Sequence, residues 1–272
     1  MQKFLVMAAL LITLFTVKIS EAAVQENRAY FPPVIMYHDV KLLPLNSFDV
    51  TLKDFRKQLK WLKDNGYTTL SMDEFVDIVN SGKAFPKDSV LITFDDGYGD
   101  SLVYALPELK SRDMKATFFI NPAYIGKKAK GYPYLTEEEL KTLAAEPLIS
   151  IESHTTRHLR LDKLSPEDLA AELNDSKAYI EELTGKPVRA VAYPFGDYNG
   201  DVITAAQTSG YEIAFAVQDR GLFDQPARFS IPRIYMGLAL CANNQELFKK
   251  YVRNYAKMPP DAFVERWQPL NQ

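Results

Sequence analysis

Val90-Leu91-Ile92-Thr93-Phe94 is an apolar run of strand length with no alternation, the pattern of a strand buried on both faces. Burial on both faces requires helices packed against the sheet, so this one segment points to parallel strands joined by helical crossovers. The rest of the chain repeats the theme. Strands are expected at 34–37, 116–120, 148–151, 188–193, 211–217 and 231–235. Between them, Leu52, Phe55, Leu59 and Leu62 recur at helical spacing until Gly66. Ser71 with Glu74 and Thr136 with Glu139 read as capping boxes, and Ser165-Pro166 opens a long helix that Gly185 stops. Further helices are expected at 99–112, ending at Gly210, and over 244–255. Seven or eight buried parallel strands in the 250 residues of 23–272 match a distorted (β/α) barrel, with an open doubly wound sheet as the alternative. No internal repeat or low-complexity linker interrupts the alternation, so 23–272 reads as a single domain.

Charge and cysteine content narrow the function. With 35 acidic and 32 basic residues the net charge is -3, which leaves no basic footprint for nucleic acid and no polybasic membrane patch. The lone Cys241 excludes an intramolecular disulfide and any multi-cysteine zinc site, and reads as a structural thiol. Residues 1–22 stand apart. Lys3 precedes an apolar stretch over 4–17, and small residues follow around Ala22-Ala23, the layout of a signal peptide. The stretch is short for a membrane span, although an uncleaved anchor is the alternative. The mature protein is thus expected in the periplasm or at the cell surface and extracellular space, as a monomer, within reach of cell-surface or export machinery.

In a parallel α/β architecture, catalytic groups gather at the C-terminal ends of strands. Four such ends carry polar or glycine-containing segments: His38, Asp95-Asp96-Gly97, His154, and Pro194-Phe195-Gly196. Adjacent carboxylates repel unless a cation or a proton intervenes. A metal at one of them leaves the other free to act as a base, whereas a bare helix cap and turn is the bland reading. Two of the three histidines, His154 and His158, fall four residues apart, a spacing that places both on one face of a helical turn. Two histidines and one aspartate leave coordination positions open, as catalytic sites do. Non-haem iron oxygenases use a similar set, but on β architectures that the alternation here disfavours. The long segment 121–135 carries Tyr124, Tyr132 and Tyr134 with Lys127, Lys128 and Lys130, either a solvated loop or a wall on which sugars stack.

Thr93-Phe94-Asp95-Asp96-Gly97, His154-Thr155-Thr156-Arg157-His158 and Tyr193-Pro194-Phe195-Gly196 resemble the motifs of the polysaccharide deacetylases, the NodB-homology group or carbohydrate esterase family four. The resemblance runs from about Phe31 to Gly237. It implies that Asp96, His154 and His158 bind one divalent metal ion, with zinc, cobalt, nickel and iron all compatible with the ligand set. It also implies that Asp95 is the general base and that the Phe195 backbone N–H binds the oxyanion. Two departures stand out. Ala192 occupies the place where many members carry an arginine, and Arg233 either replaces that charge or is paired on the barrel rim. No histidine follows His158, so the acid expected late in most members is absent. His38, in Met36-Tyr37-His38-Asp39, resembles the early acid of the branch that deacetylates poly-β-1,6-N-acetylglucosamine. The expected activity is hydrolysis of N-acetyl groups from an N-acetylglucosamine polysaccharide of the biofilm matrix. Alternatives are peptidoglycan or chitooligosaccharide deacetylation, an O-acetyl esterase acting on another glycan, and a non-catalytic sugar binder.

Overall fold

The computed structural model describes residues 31–129, 131–217, 228–237 and 244–255. The expected signal segment 1–22, Lys130 and Cys241 lie outside them. Strand β1 (Val34–Tyr37) is followed by two short strands, β2 (Asp39–Lys41) and β3 (Asp49–Thr51), then by α1 (Leu52–Asp64). Next come β4 (Thr68–Thr69), α2 (Met72–Ser81), β5 (Ser89–Phe94), α3 (Leu106–Lys110) and β6 (Ala116–Ile120). A hairpin, β7 (Lys128–Ala129) and β8 (Tyr132–Pro133), precedes α4 (Glu137–Ala144), β9 (Ile149–Ser153) and α5 (Pro166–Thr184). The chain continues through β10 (Ala190–Ala192), α6 (Gly200–Thr208), β11 (Ile213–Phe215), β12 (Ile234–Tyr235) and α7 (Gln245–Tyr255).

Seven strands run parallel in the order β11-β10-β9-β6-β5-β1-β12, and β4 pairs with the start of β5. The two edges of the sheet approach each other through one stretch of chain. Ile231 bridges Phe215 of β11, and three residues later Ile234 pairs with Ile35 of β1. The sheet is therefore curled as a (β/α) barrel and not open as a doubly wound sheet. Strand alternation divides the side chains between the layers. Phe94 stacks on Phe118 at 4.6 Å and on Tyr37 at 5.3 Å, and meets Phe55 of α1 at 5.9 Å. Its neighbours Thr93 and Asp95 face the opposite way, toward Arg233 in the barrel interior.

The caps form as the sequence leads one to expect. Ser71 and Thr136 each complete a reciprocal capping box, and Ser165 accepts from the Asp168 N–H ahead of Pro166. The helix expected over 99–112 differs. Pro107 has no N–H and its ring would crowd the carbonyl four residues back. The chain instead makes a π-helical turn over Ser101–Ala105, closed by the Leu106 N–H on the Ser101 carbonyl, and becomes α-helical only at Leu106. Segment 121–135 is also more ordered than a plain loop, because β7 and β8 pair within it.

Candidate active site

His38, Asp95, Asp96, His154, His158 and Phe195 line one cavity of about 880 Å3. It lies at the C-terminal ends of the strands, so the four strand ends singled out above do converge. Asn121, just past β6, lines it too, and the same filter of polar residues at strand ends would have found it.

The Asp96 carboxylate is delivered by a sharp turn. Asp96 (φ 72) and Gly97 (φ 77) are both left-handed, a conformation that aspartate tolerates better than most residues. The two histidines meet by a route other than the expected helical turn. Residues 154–158 form a loop in which Thr155 (φ 64) and His158 (φ 57) are left-handed, and the chain doubles back until the ring centroids are 4.9 Å apart. Four-residue spacing was the right signal for the wrong backbone, because nothing in the sequence marks a left-handed threonine.

Asp96 Oδ1 lies 3.5 Å from His154 Nε2 and 3.4 Å from His158 Nε2. Ligand atoms held about 2.1 Å from one tetrahedral cation sit about 3.4 Å from each other, so the three residues fit a shared divalent ion. The protonation pattern fits as well. His154 Nδ1 lies 2.7 Å from the Ala192 carbonyl, which fixes the proton there and leaves the Nε2 lone pair toward Asp96. Burial lowers His154 to about 3 and lowers His158, keeping both rings neutral as ligands must be. Burial raises Asp96, a cost that a bound cation removes.

Asp95 has its own cation. Arg233 is not on the barrel rim; it is fully buried and donates from both terminal nitrogens to Asp95 Oδ1 and Oδ2 at 2.7 Å each. Burial alone would raise the Asp95 carboxyl, but the Arg233 charge and then His154 outweigh it and hold the group at about 2. Asp95 Oδ2 remains 3.8 Å from His154 Nε2, at the edge of the metal cluster. Arg233 thus reaches Asp95 from the segment that joins the two edges of the sheet.

Phe195 is left-handed (φ 61), with half of its surface exposed. Its ring meets His158 edge-on at 4.6 Å, and the Arg160 guanidinium, paired with Asp197, lies 4.7 Å from its centroid. A side chain at Gly196 would sit 2.6 Å from the Val217 nitrogen, so only glycine lets this turn press against the barrel wall. His38 lies between Phe48 and Tyr235, at 5.5 and 5.6 Å, with Nδ1 buried and without a hydrogen-bond partner among the described residues. Stacked aromatics extend the wall on that side. Phe48 is parallel to Tyr98 at 5.9 Å, Tyr98 meets Tyr134 at 4.9 Å, and Tyr134 stacks on Tyr124 at 5.0 Å. Lys127 and Lys128 are exposed beyond them.

Residues 82–214 match the family model described as polysaccharide deacetylase. The chain is 39% identical over 197 residues to YxkH of Bacillus subtilis (strain 168), covering 70% of this chain and 68% of that one; its name assigns YxkH to the polysaccharide deacetylases without claiming a proven activity. It is 29% identical over 201 residues to the poly-beta-1,6-N-acetyl-D-glucosamine N-deacetylase of Staphylococcus aureus (strain MSSA476), with the same coverage of 70% and 68%. Among solved structures, the Streptococcus pyogenes deacetylase PplD in complex with acetate superposes with a TM-score of 0.72 at 26% identity, over 82% of this chain and 99% of that one.

Proposed function

The chain belongs to the polysaccharide deacetylase family, and from that premise we propose that it hydrolyses the N-acetyl groups of N-acetylglucosamine residues in an exported polysaccharide, with poly-β-1,6-N-acetylglucosamine as the first substrate. The observation that carries the reading is the Asp96–His154–His158 cluster beside an aspartate that Arg233 keeps ionised. The β-1,6 preference draws support from the Staphylococcus aureus relative and from an only remaining histidine that lies early in the chain and lines the cavity. Residues 1–22 support export to the periplasm or beyond.

Asp96, His154 and His158 would hold a divalent ion, which would supply Lewis acidity and make water more acidic there. The remaining steps belong to the chain's own residues. Asp95 takes the proton of the attacking water through a carboxylate oxygen that Arg233 orients. The Phe195 N–H donates to the oxygen that becomes negative as water adds to the acetyl carbon. His38 protonates the nitrogen as the C–N bond breaks, leaving acetate and a free amine.

The test is acetate release from matched β-1,6- and β-1,4-linked N-acetylglucosamine oligomers, with and without a chelator. Chelator-sensitive release favouring β-1,6 is expected. A β-1,4 preference moves the substrate to peptidoglycan or chitin, and release only from O-acetylated glycans moves the reaction to ester hydrolysis. No release from any of them with metal restored leaves a sugar-binding protein. Within the same assay, His38→Ala is expected to lose about 10²-fold or more in kcat. Full turnover in that variant removes His38 as the acid.

A further inference from the structure

We propose that Glu172, on α5, is a positioning residue for the metal centre, holding the loop that carries both histidine ligands in its binding shape. The inference rests on the metal reading above and concerns a residue that touches neither the cavity nor the reacting atoms.

Glu172 is buried, with 1% of its surface exposed, yet it belongs to none of the chemistry already described. All of its polar contacts with the ligand loop run one way. Its Oε2 accepts the Arg157 backbone N–H at 2.8 Å, and its Oε1 accepts Arg157 Nε. Its main-chain carbonyl accepts the Thr156 N–H at 3.2 Å and the Thr156 hydroxyl at 3.1 Å. A single helical residue therefore binds both residues between the strained Thr155 and the ligand His158.

That loop needs holding. Thr155 and His158 are left-handed, and a β-branched residue keeps that conformation only where its surroundings over-determine it. The first half of the loop is fixed from several directions. The Thr155 N–H donates to Ser153 Oγ at 3.1 Å, and Asn121 Nδ2 donates to the Thr155 carbonyl at 3.1 Å and to that of His154. The Ala123 N–H donates to the Thr156 carbonyl at 3.0 Å. The second half has Glu172. Arg157 immediately precedes His158, so the carboxylate on its N–H sets where the chain turns to present the second imidazole. Partners outside the ligand shell that orient metal ligands typically change affinity by about 10–100-fold when removed.

The experiment is a cobalt(II) titration of the metal-stripped full-length protein, read by its visible d–d absorption, with the melting of the same metal-free samples followed alongside. Glu172→Gln is nearly isosteric but presents an amide N–H₂ to one of two donors. It is expected to weaken cobalt binding about 10–100-fold and to alter the absorption envelope, while the metal-free protein still melts cooperatively. Arg157→Ala keeps the backbone N–H bond to Glu172 and is expected to bind cobalt within about threefold of the parent. If Glu172→Gln does not fold, Glu172→Asp, which keeps the charge but is too short to reach both donors, is titrated in its place with the same expectation. A folded Glu172 variant with the parent's affinity and spectrum overturns the proposal, as does an equal loss in Arg157→Ala. Failure of the parent to bind cobalt at all refutes the metal reading instead, so the two failures are distinct.

Discussion

Inside the barrel, Arg233 and Asp95 share two parallel hydrogen bonds, with both side chains almost wholly buried. Removing one partner of such a pair strands the other charge, which is more damaging than the net worth of the pair suggests. Arg233→Ala is therefore expected to cost about 3–5 kcal/mol of stability at neutral pH, measured by urea unfolding. The sign with pH follows from the depressed carboxyl. Its folded value of about 2 lies below its unfolded one, so the stabilisation is fully present above the ordinary carboxylate range and is lost as pH falls toward 2. The deficit of Arg233→Ala should shrink over the same interval. The stranded Asp95 should also take up a proton more readily, moving the acid limb of kcat/KM upward. Arg233→Lys keeps the charge but not the two-pronged geometry, and should fall between the parent and the alanine variant. An acid limb that stays in place in Arg233→Ala would contradict the role given to the pair.

Elements carry a second set of charges at the opposite end of the barrel. Arg189, leading into β10, binds Glu212 at 2.6 Å, next to β11, and reaches Asp77 at 2.8 Å and Asp73 at 3.3 Å on α2. This clamp ties a helix across two adjacent strands. Arg189 is the first cause of a lowered Glu212 carboxyl, so its stabilisation is present above the unfolded carboxylate value and is lost as pH falls. Glu212→Gln should cost about 1 kcal/mol or less at pH 7, since the group is a third exposed and screened. The difference from the parent should narrow in high salt and on acidification in parallel urea melts; a gap constant with pH would mean that packing, not charge, holds the clamp. These elements were legible to different degrees. Strands and caps were readable because both-face burial and capping are local patterns, and Asp95, Asp96 and the histidines stood out as polar groups where apolar runs end. The π-helical turn before Pro107, the β2–β3 pair and the left-handed ligand loop were not, because each depends on tertiary partners. Glu172 looks like any acidic residue of an amphipathic helix until the loop it binds is folded against it.

At the scale of the whole molecule, the three proposed metal ligands come from the ends of β5 and β9, which flank β6 in the sheet. Main-chain ladders already fix both ends, so a cation would tie together groups that the sheet has brought within 4.8 Å without it. A metal bound there is thus expected to add to a fold that the sheet already holds together, unlike the small domains that are unfolded without their metal. Chelation should abolish acetate release yet leave far-ultraviolet circular dichroism unchanged, and the stripped protein should melt in a single transition. Restoring the cation at 100 times its dissociation constant adds about 2.7 kcal/mol by mass action. For a domain of this size that corresponds to a rise of roughly 5–10 °C in Tm. Loss of helical signal on chelation would place the metal among the folding determinants and would require the ligand loop to be unformed without it. The expected outcome follows from the hydrogen bonds that Asn121, Ser153 and Glu172 make to that loop, all of which run between protein groups and need no ion to form.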